Sequence, residues 1–141
     1  MDEARLTRMP KVKPPVLDTA GFDQLAAGLE CPDGAVSFMA SYLEMLPSRI
    51  ARILAAVLSG DPESSMDAVL SLRVSSGMSG ACRLEQNCRE LETALRASEQ
   101  QKVDKAARRL TKDFDLLVPE IKSLLACYAQ PVQTAAILSQ A

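Results

Sequence analysis

The spacing of apolar residues constrains the fold of this chain more than any other feature. Within residues 35–60, apolar side chains return every three or four positions, as at Phe38, Tyr42, Ile50 and Val57. That interval matches the turn of an α-helix. The same spacing recurs in residues 62–78, 81–97 and 102–130. The sequence lacks strand-like alternation, and an apolar content rich in Leu, Ala, Val, Ile and Met favours helices over sheets. We therefore predict an all-α protein.

Short breaks separate these segments and predict where each helix ends. In "SGDP", Gly60 suits the end of one helix, Asp61 the N-cap of the next and Pro62 its first position. "SGMSGA" and "SEQQ" mark the next two boundaries. Pro47 is expected to kink its helix or restart it, and Pro119 to bend the last helix. Four sizeable helices with short connections predict an antiparallel four-helix bundle.

The 141 residues are enough for one domain with a core of its own. Residues 1–15 are polar, mildly basic and rich in proline, which predicts an extended arm. Residues 16–130 are assigned to the bundle, which opens with a short helix from about Asp18 that caps one end. Residues 131–141 are assigned to a C-terminal tail, and the pattern leaves open whether they form a packed tail or a further turn of helix.

The residue types exclude several kinds of chemistry. The sequence contains no histidine, so histidine-based acid–base catalysis, histidine metal ligation and Ser–His or Cys–His nucleophile pairs are excluded. The cysteines form no C-x-x-C pattern, and we interpret them as reduced, mostly buried thiols rather than metal ligands. They are Cys31, Cys82, Cys88 and Cys127. We predict neither a metal site nor a cofactor.

Charge and hydropathy exclude two classes of partner. The net charge is −2, and aspartates interrupt the one basic run, which favours a solvated helix face over a nucleic-acid site. The cations of that run are Lys102, Lys105, Arg108, Arg109 and Lys112. No apolar run is long enough to cross a bilayer, and the N-terminal residues lack the apolar core of a signal peptide. We expect a cytoplasmic protein that binds neither nucleic acid nor membrane.

One stretch resembles a known family. The run "VLSLRVSSGMSGA", residues 69–81, is followed by "CRELE", residues 88–92. Together they resemble the signature of the histidine-containing phosphotransfer (HPt) domain, roughly A-H-x-L-K-G-S-S-x-x-L-G-A and then a C-x-x-L-E-like stretch. The matching residues are Leu72, Ser75, Ser76, Gly80 and Ala81. The resemblance implies a four-helix bundle of the kind that passes phosphoryl groups between histidine kinases and receiver domains.

The departure from that signature falls where the chemistry would occur. Leu70 occupies the position of the phosphoacceptor histidine, and Val74 replaces the glycine one turn later. An alkyl side chain cannot form a phosphoramidate, and the hydroxyls of Ser71 and Ser75 have no histidine to activate them. We therefore predict a pseudo-HPt domain with no catalytic residue, which is not an enzyme.

The same helix supplies a predicted partner-binding surface. Leu70, Val74 and Met78 lie at i, i+4 and i+8 on the side opposite the predicted core, with Asp67 and Ser71 beside them. These apolar side chains would form either a docking surface or a set of scattered exposed residues, unless a terminal segment covers them.

Two further positions complete the predicted surface. Arg73 stands where the family has lysine, and it would contact the acidic pocket of a receiver domain or remain a solvated cation. Gly77 would allow close approach of a partner to the backbone.

The resemblance implies a partner from two-component signalling, either a receiver domain of a response regulator or a histidine kinase. We accordingly predict a non-catalytic interaction module. The alternative is a structural module that uses the same apolar stripe to form a homodimer. A third possibility, phosphate accepted on another residue, is not expected.

Overall fold

The computed structural model describes residues 13–23 and 33–140, with side chains up to Tyr128 in the second stretch. Its four long helices form a ring in which α1 and α3 each pack against both α2 and α4. These helices are α1 (Asp33–Ser59), α2 (Pro62–Ser79), α3 (Cys82–Arg96) and α4 (Gln100–Gln140). The predicted all-α four-helix bundle is confirmed. Of the predicted capping helix, residues 20–23 are helical and the rest lies outside the described residues.

The prolines do not end the helices in which they lie. Helix α1 continues through Pro47, so the predicted restart there is wrong. Leu46 and Ile50 are buried on either side of this exposed proline, and their packing holds both halves of the helix to one core. Helix α4 continues through Pro119 and Pro131, so the second alternative for the tail, further helix, is the one found.

Helix α4 has 41 residues and is the longest helix described. Its length extends past the predicted bundle boundary at residue 130, and the side chains beyond that boundary lie outside the described residues. Neither α4 nor another helix in the described ranges combines the length and apolar character needed to cross a membrane.

The start of α2 is set by its N-cap, as predicted. The Asp61 carboxylate accepts hydrogen bonds from the backbone N–H groups of Glu63 and Ser64 at 3.1 and 3.3 Å. The Ser64 hydroxyl donates to the same carboxylate at 2.8 Å, and this bond is the main reason that the pKa of Asp61 is lowered. A capped, proline-initiated first turn fixes where α2 begins and hence which of its residues face outward.

The end of α2 is held by the segment that precedes the bundle. Gly80 has φ +78°, and a Cβ there would collide with the carbonyl oxygen of Asp18. The Asp18 N–H donates to the Gly80 carbonyl at 2.7 Å, and Arg83 donates to the carbonyls of Pro14 and Pro15, each at 3.0 Å. The last residues of the predicted arm therefore lie against the α2–α3 turn, while residues 1–12 are outside the described ranges.

The core is one cluster of buried side chains between the four helices. On α1, Met39 is buried where the apolar spacing indicated Phe38, which is exposed, while Tyr42 and Ile50 are buried as indicated. The fully buried large side chains are Met39, Leu46, Ile53, Leu72, Leu84, Leu91, Leu110, Leu117 and Ile121. At one end, the Phe22 ring packs edge-on against Tyr128, whose hydroxyl donates to Asp23 at 2.7 Å.

The described cysteines do not share one environment. Cys88 is buried, and burial raises the pKa of its thiol to about 12. Cys82 is half-buried and Cys127 is exposed, so the expectation of mostly buried thiols is met only by Cys88. Cys31 lies outside the described residues.

Candidate partner-binding face

Helix α2 has a buried side and an open side, as its sequence predicts. Ser65, Val69, Leu72 and Ser76 face the core and are buried. On the opposite side is the α2 ridge, which we define as Leu70, Val74 and Met78. Val74 is 55% exposed and Met78 68% exposed, but Leu70 is half-buried, so the ridge is less open at its first residue than expected.

The side of the ridge next to α1 is occupied by Arg49. Its Nη1 donates to the hydroxyl of Ser71 at 3.0 Å and to the hydroxyl of Ser75 at 3.2 Å. The Ser71 carbonyl lies 3.4 Å from the same nitrogen. Ser75 in turn donates to the Ser71 carbonyl at 3.1 Å. The guanidinium is therefore held by neutral oxygen atoms.

Two other contacts fix the register of α1 on α2. One turn further along α1, Arg52 forms an exposed ion pair with Asp67 at 2.9 Å. At the other end, the hydroxyls of Tyr42 and Ser76 share a buried hydrogen bond of 2.7 Å. Burial raises the pKa of Tyr42 above its ordinary value, so this hydroxyl stays protonated even in alkaline solution. The two helices run antiparallel, and the register places Arg49 beside the ridge.

The side of the ridge next to α3 is closed by paired charges. Arg73 Nη1 lies 3.1 Å from Glu92 Oε1, with the two side chains 28% and 14% exposed. The second oxygen of Glu92, Oε2, forms an ion pair with Nη2 of Arg96 at 3.0 Å. Arg73 is thus partly exposed but paired, and an anion from a partner would have to compete with Glu92.

Gly77 also faces α3. A Cβ at this position would lie 2.6 Å from Oε2 of Glu85, whose carboxylate is paired with Arg89 at 3.3 Å. The space that the missing side chain leaves is therefore occupied by the carboxylate of Glu85. Close approach of a partner at Gly77 would require that side chain to move.

The two sides of the ridge differ in electrostatics. Arg52 and Arg73 each have a carboxylate partner. Arg49 is half-buried, and among the described residues it forms no ion pair with a carboxylate. Of these three arginines, Arg49 is therefore the one without a carboxylate partner in the described part of the chain.

The arrangement offers no activated nucleophile. The hydroxyl of Ser75 donates to backbone carbonyls, and the hydroxyl of Ser71 contacts only the Arg49 guanidinium among the described side chains. A guanidinium cannot act as a general base at neutral pH. The face presents exposed apolar area and one arginine charge, and no described side chain that hydrogen-bonds Ser71 or Ser75 is a general base.

The sequence prediction missed the contribution of α1. Met45 is exposed and its sulfur lies 4.0 Å from Arg49 Nη2, which extends the apolar surface from α2 onto α1. Phe38, also exposed, lies two helical turns before Met45 on the same side of α1. The sequence signal that could have indicated this contribution is the segment "PSRIAR", in which Arg49 and Arg52 lie near Ile50. Because Ile50 faces the core, both arginines lie at the edge of the core.

The fold, rather than the sequence, identifies similar proteins. No protein-family model matches the chain, and no curated protein matches it. Histidine-containing phosphotransfer protein B from Pseudomonas aeruginosa PAO1 superposes with a TM-score of 0.73 at 23% identity, covering 81% of this chain and 97% of that one. The HPT domain of the Hpt sensor hybrid histidine kinase from Shewanella superposes with a TM-score of 0.63 at 18% identity, covering 79% and 94%. The chain has the fold of an HPt domain, as the resemblance implied.

Proposed function

We propose that this chain is a non-catalytic HPt-like module of phosphorelay signalling, which binds a receiver domain or a histidine kinase through the α2 ridge without accepting phosphate. The observation that carries the proposal is the exposure of Val74 and Met78 on the open side of α2, in an HPt-like bundle whose sequence has no histidine. Leu70 stands at the position that the resemblance assigns to the phosphoacceptor. Partners of this class would place the protein in the cytoplasm.

The energetics indicate how large the docking surface has to be. Burying the exposed fractions of Val74 and Met78 would contribute about 1–2 kcal/mol each, before the cost of association. A micromolar Kd corresponds to about 8 kcal/mol. The ridge alone is therefore insufficient, and the exposed Met45 and Phe38 on α1 are the apolar neighbours best placed to extend the contact.

Binding measurements with matched variants test the proposal. Purified receiver domains and histidine kinases from the source organism would be titrated against the wild type, Val74→Glu and Leu58→Glu. Leu58 is 89% exposed and lies near the end of α1, so its variant controls for adding a charge at an exposed apolar position. We expect one partner to bind, Val74→Glu to weaken binding by at least about ten-fold, and Leu58→Glu to change it less than about two-fold. If no receiver or kinase binds, or if both variants bind equally well, the proposal is wrong.

A transfer experiment tests the non-catalytic part separately. The protein would be incubated with a receiver domain carrying radioactive phosphate on its aspartate. We expect no covalent label on this chain, because neither Leu70 nor the unactivated hydroxyls near it can accept the group. Stable label on Ser71 or Ser75 would contradict the assignment as a binding module.

Homodimerisation is the second candidate, and the same exposed apolar side chains favour it. A symmetric contact between two α2 ridges would bury Val74 and Met78 of both copies. Light scattering separates the candidates, since a tight dimer that Val74→Glu converts to a monomer would support self-association. A monomer at micromolar concentration would support docking to another protein.

A further inference from the structure

We infer that Arg49, with the Ser71 hydroxyl beside it, is the site where a receiver-type partner places an acidic group. The inference rests on the function proposed above and adds the charge that would orient the partner. The acidic group is either a carboxylate of the receiver's acidic pocket or the phosphoryl group on its aspartate. Both supply anionic oxygen, the ligand that a guanidinium fork binds best.

The hydrogen bonds of Arg49 fix the guanidinium without using all of its donors. Nη1 is engaged by the hydroxyls of Ser71 and Ser75 at 3.0 and 3.2 Å. Among the described residues, Nη2 has one hydrogen-bonding partner, the sulfur of Met45 at 4.0 Å, and Nε has none. An arginine has five N–H donors, so a preorganised fork with unused donors remains beside the ridge.

The charge of Arg49 is what makes a partner's acidic group favourable here. Arg49 as a residue is half-buried and its guanidinium lies against Ser71 and Ser75, so part of its hydration is lost, and in the described part of the chain no carboxylate compensates it. A partly desolvated charge next to neutral oxygens gains more from an incoming anion than an exposed cation does. Arg73 cannot play this role as easily, because an anion would have to displace Glu92.

Arg49 lies at the edge of the apolar surface that the proposed partner would cover. The guanidinium touches Ser71 and Ser75, which lie one position beyond Leu70 and Val74 on the ridge. A partner that covers the ridge and Met45 would therefore bring its own edge over Arg49. An apolar area bordered by one cation is complementary to an acidic pocket with an apolar rim, which is the surface that this inference requires of the receiver domain.

Arg49→Gln, with Arg52→Gln as the matched control, tests the inference. Arg52 lies on the same helix one turn away and already has Asp67 as its counter-charge. Each variant would be titrated against the receiver domain that binds the wild type most tightly, with and without beryllofluoride and Mg²⁺ to mimic the phosphorylated aspartate. We expect Arg49→Gln to weaken binding by at least about ten-fold and Arg52→Gln by less than about two-fold.

The outcomes separate this inference from the function on which it rests. A loss confined to the beryllofluoride-bound receiver would assign the acidic group to the phosphoryl group, and a loss in both forms would assign it to a carboxylate. A receiver that binds the wild type and Arg49→Gln equally well would overturn the inference alone. If no receiver binds the wild type, the proposed function fails and the inference fails with it. A thermal melt of each variant establishes that it is folded before binding is compared.

Discussion

An arginine side chain lies on each side of helix α2, but the two sides differ in whether a carboxylate neutralises it. Next to α3, Arg73 is paired with Glu92, and the Glu85 carboxylate lies over Gly77. Next to α1, Arg49 rests on two serine hydroxyls and has no carboxylate partner among the described residues. An arginine beside an exposed apolar face therefore indicates a binding site for an anion only when it has no counter-charge within the fold. We therefore expect the paired charges on the α3 side to stabilise the fold, and we propose the α1 side as the one that an acidic partner contacts.

The largest expected effect is loss of the Glu92 carboxylate. Glu92→Gln leaves Arg73 half-buried without its counter-charge and also releases Arg96. We expect the free energy of unfolding to fall by about 1–3 kcal/mol, measured by urea denaturation. Glu90→Gln on the same helix is the control, because its pair with Arg109 is about half exposed and should contribute less than about 1 kcal/mol. Equal losses for the two variants would show that the largely buried Glu92 carboxylate stabilises the fold no more than the exposed Glu90 carboxylate does.

A smaller loss of stability is expected from the buried hydrogen bond between α1 and α2. Tyr42→Phe removes the buried partner of the Ser76 hydroxyl and should lower the free energy of unfolding by about 1 kcal/mol. The double variant Tyr42→Phe with Ser76→Ala removes both polar groups and should be closer to the wild type than the single variant, because no buried hydroxyl is left unpaired. Urea denaturation of both checks this. A double variant less stable by the sum of two single losses would contradict it.

Gly77→Ala should act in the opposite direction. Alanine favours the helix, and the Glu85 carboxylate can move away because it is the end of a flexible side chain. We expect the free energy of unfolding to rise by about 0.5 kcal/mol, after deducting the weak pair between Glu85 and Arg89. A thermal melt measures the change. Gly60→Ala is the contrasting control, since φ +75° at that position should make the same substitution destabilising. If Gly77→Ala weakens partner binding, close approach at Gly77 is part of the docking surface.

The smallest effect on stability is expected for Arg49→Gln. Its hydrogen bonds go to the hydroxyls of exposed Ser71 and half-buried Ser75, and Gln can replace part of them, so the free energy of unfolding should change by no more than about 0.5 kcal/mol. The same urea titration used for Glu92→Gln measures it. A loss above about 1 kcal/mol would mean that Arg49 stabilises the fold in the way that Arg73 does, and the contrast between the two sides would disappear.

The helices and the inward row of α2 were predictable because both follow from local pattern. Apolar spacing located the helices, and "SGDP" located a turn to the residue. The predicted restart at Pro47 was wrong, since packing on both sides of Pro47 outweighs its missing N–H. On α1, Phe38 was predicted to face inward where Met39 does, because both are apolar and spacing alone does not say which of two neighbours faces inward.

The sequence by itself determined that this bundle has no histidine to phosphorylate and that Leu70, Val74 and Met78 share the outer face of one helix. Only the tertiary structure decided which charges meet across helices. Arg49 reaches Ser71 over 22 positions, and Arg73 meets Glu92 on the next helix. Such contacts depend on the register and rotation of one helix against another, which are set by packing of the whole core and not by the periodicity of either segment.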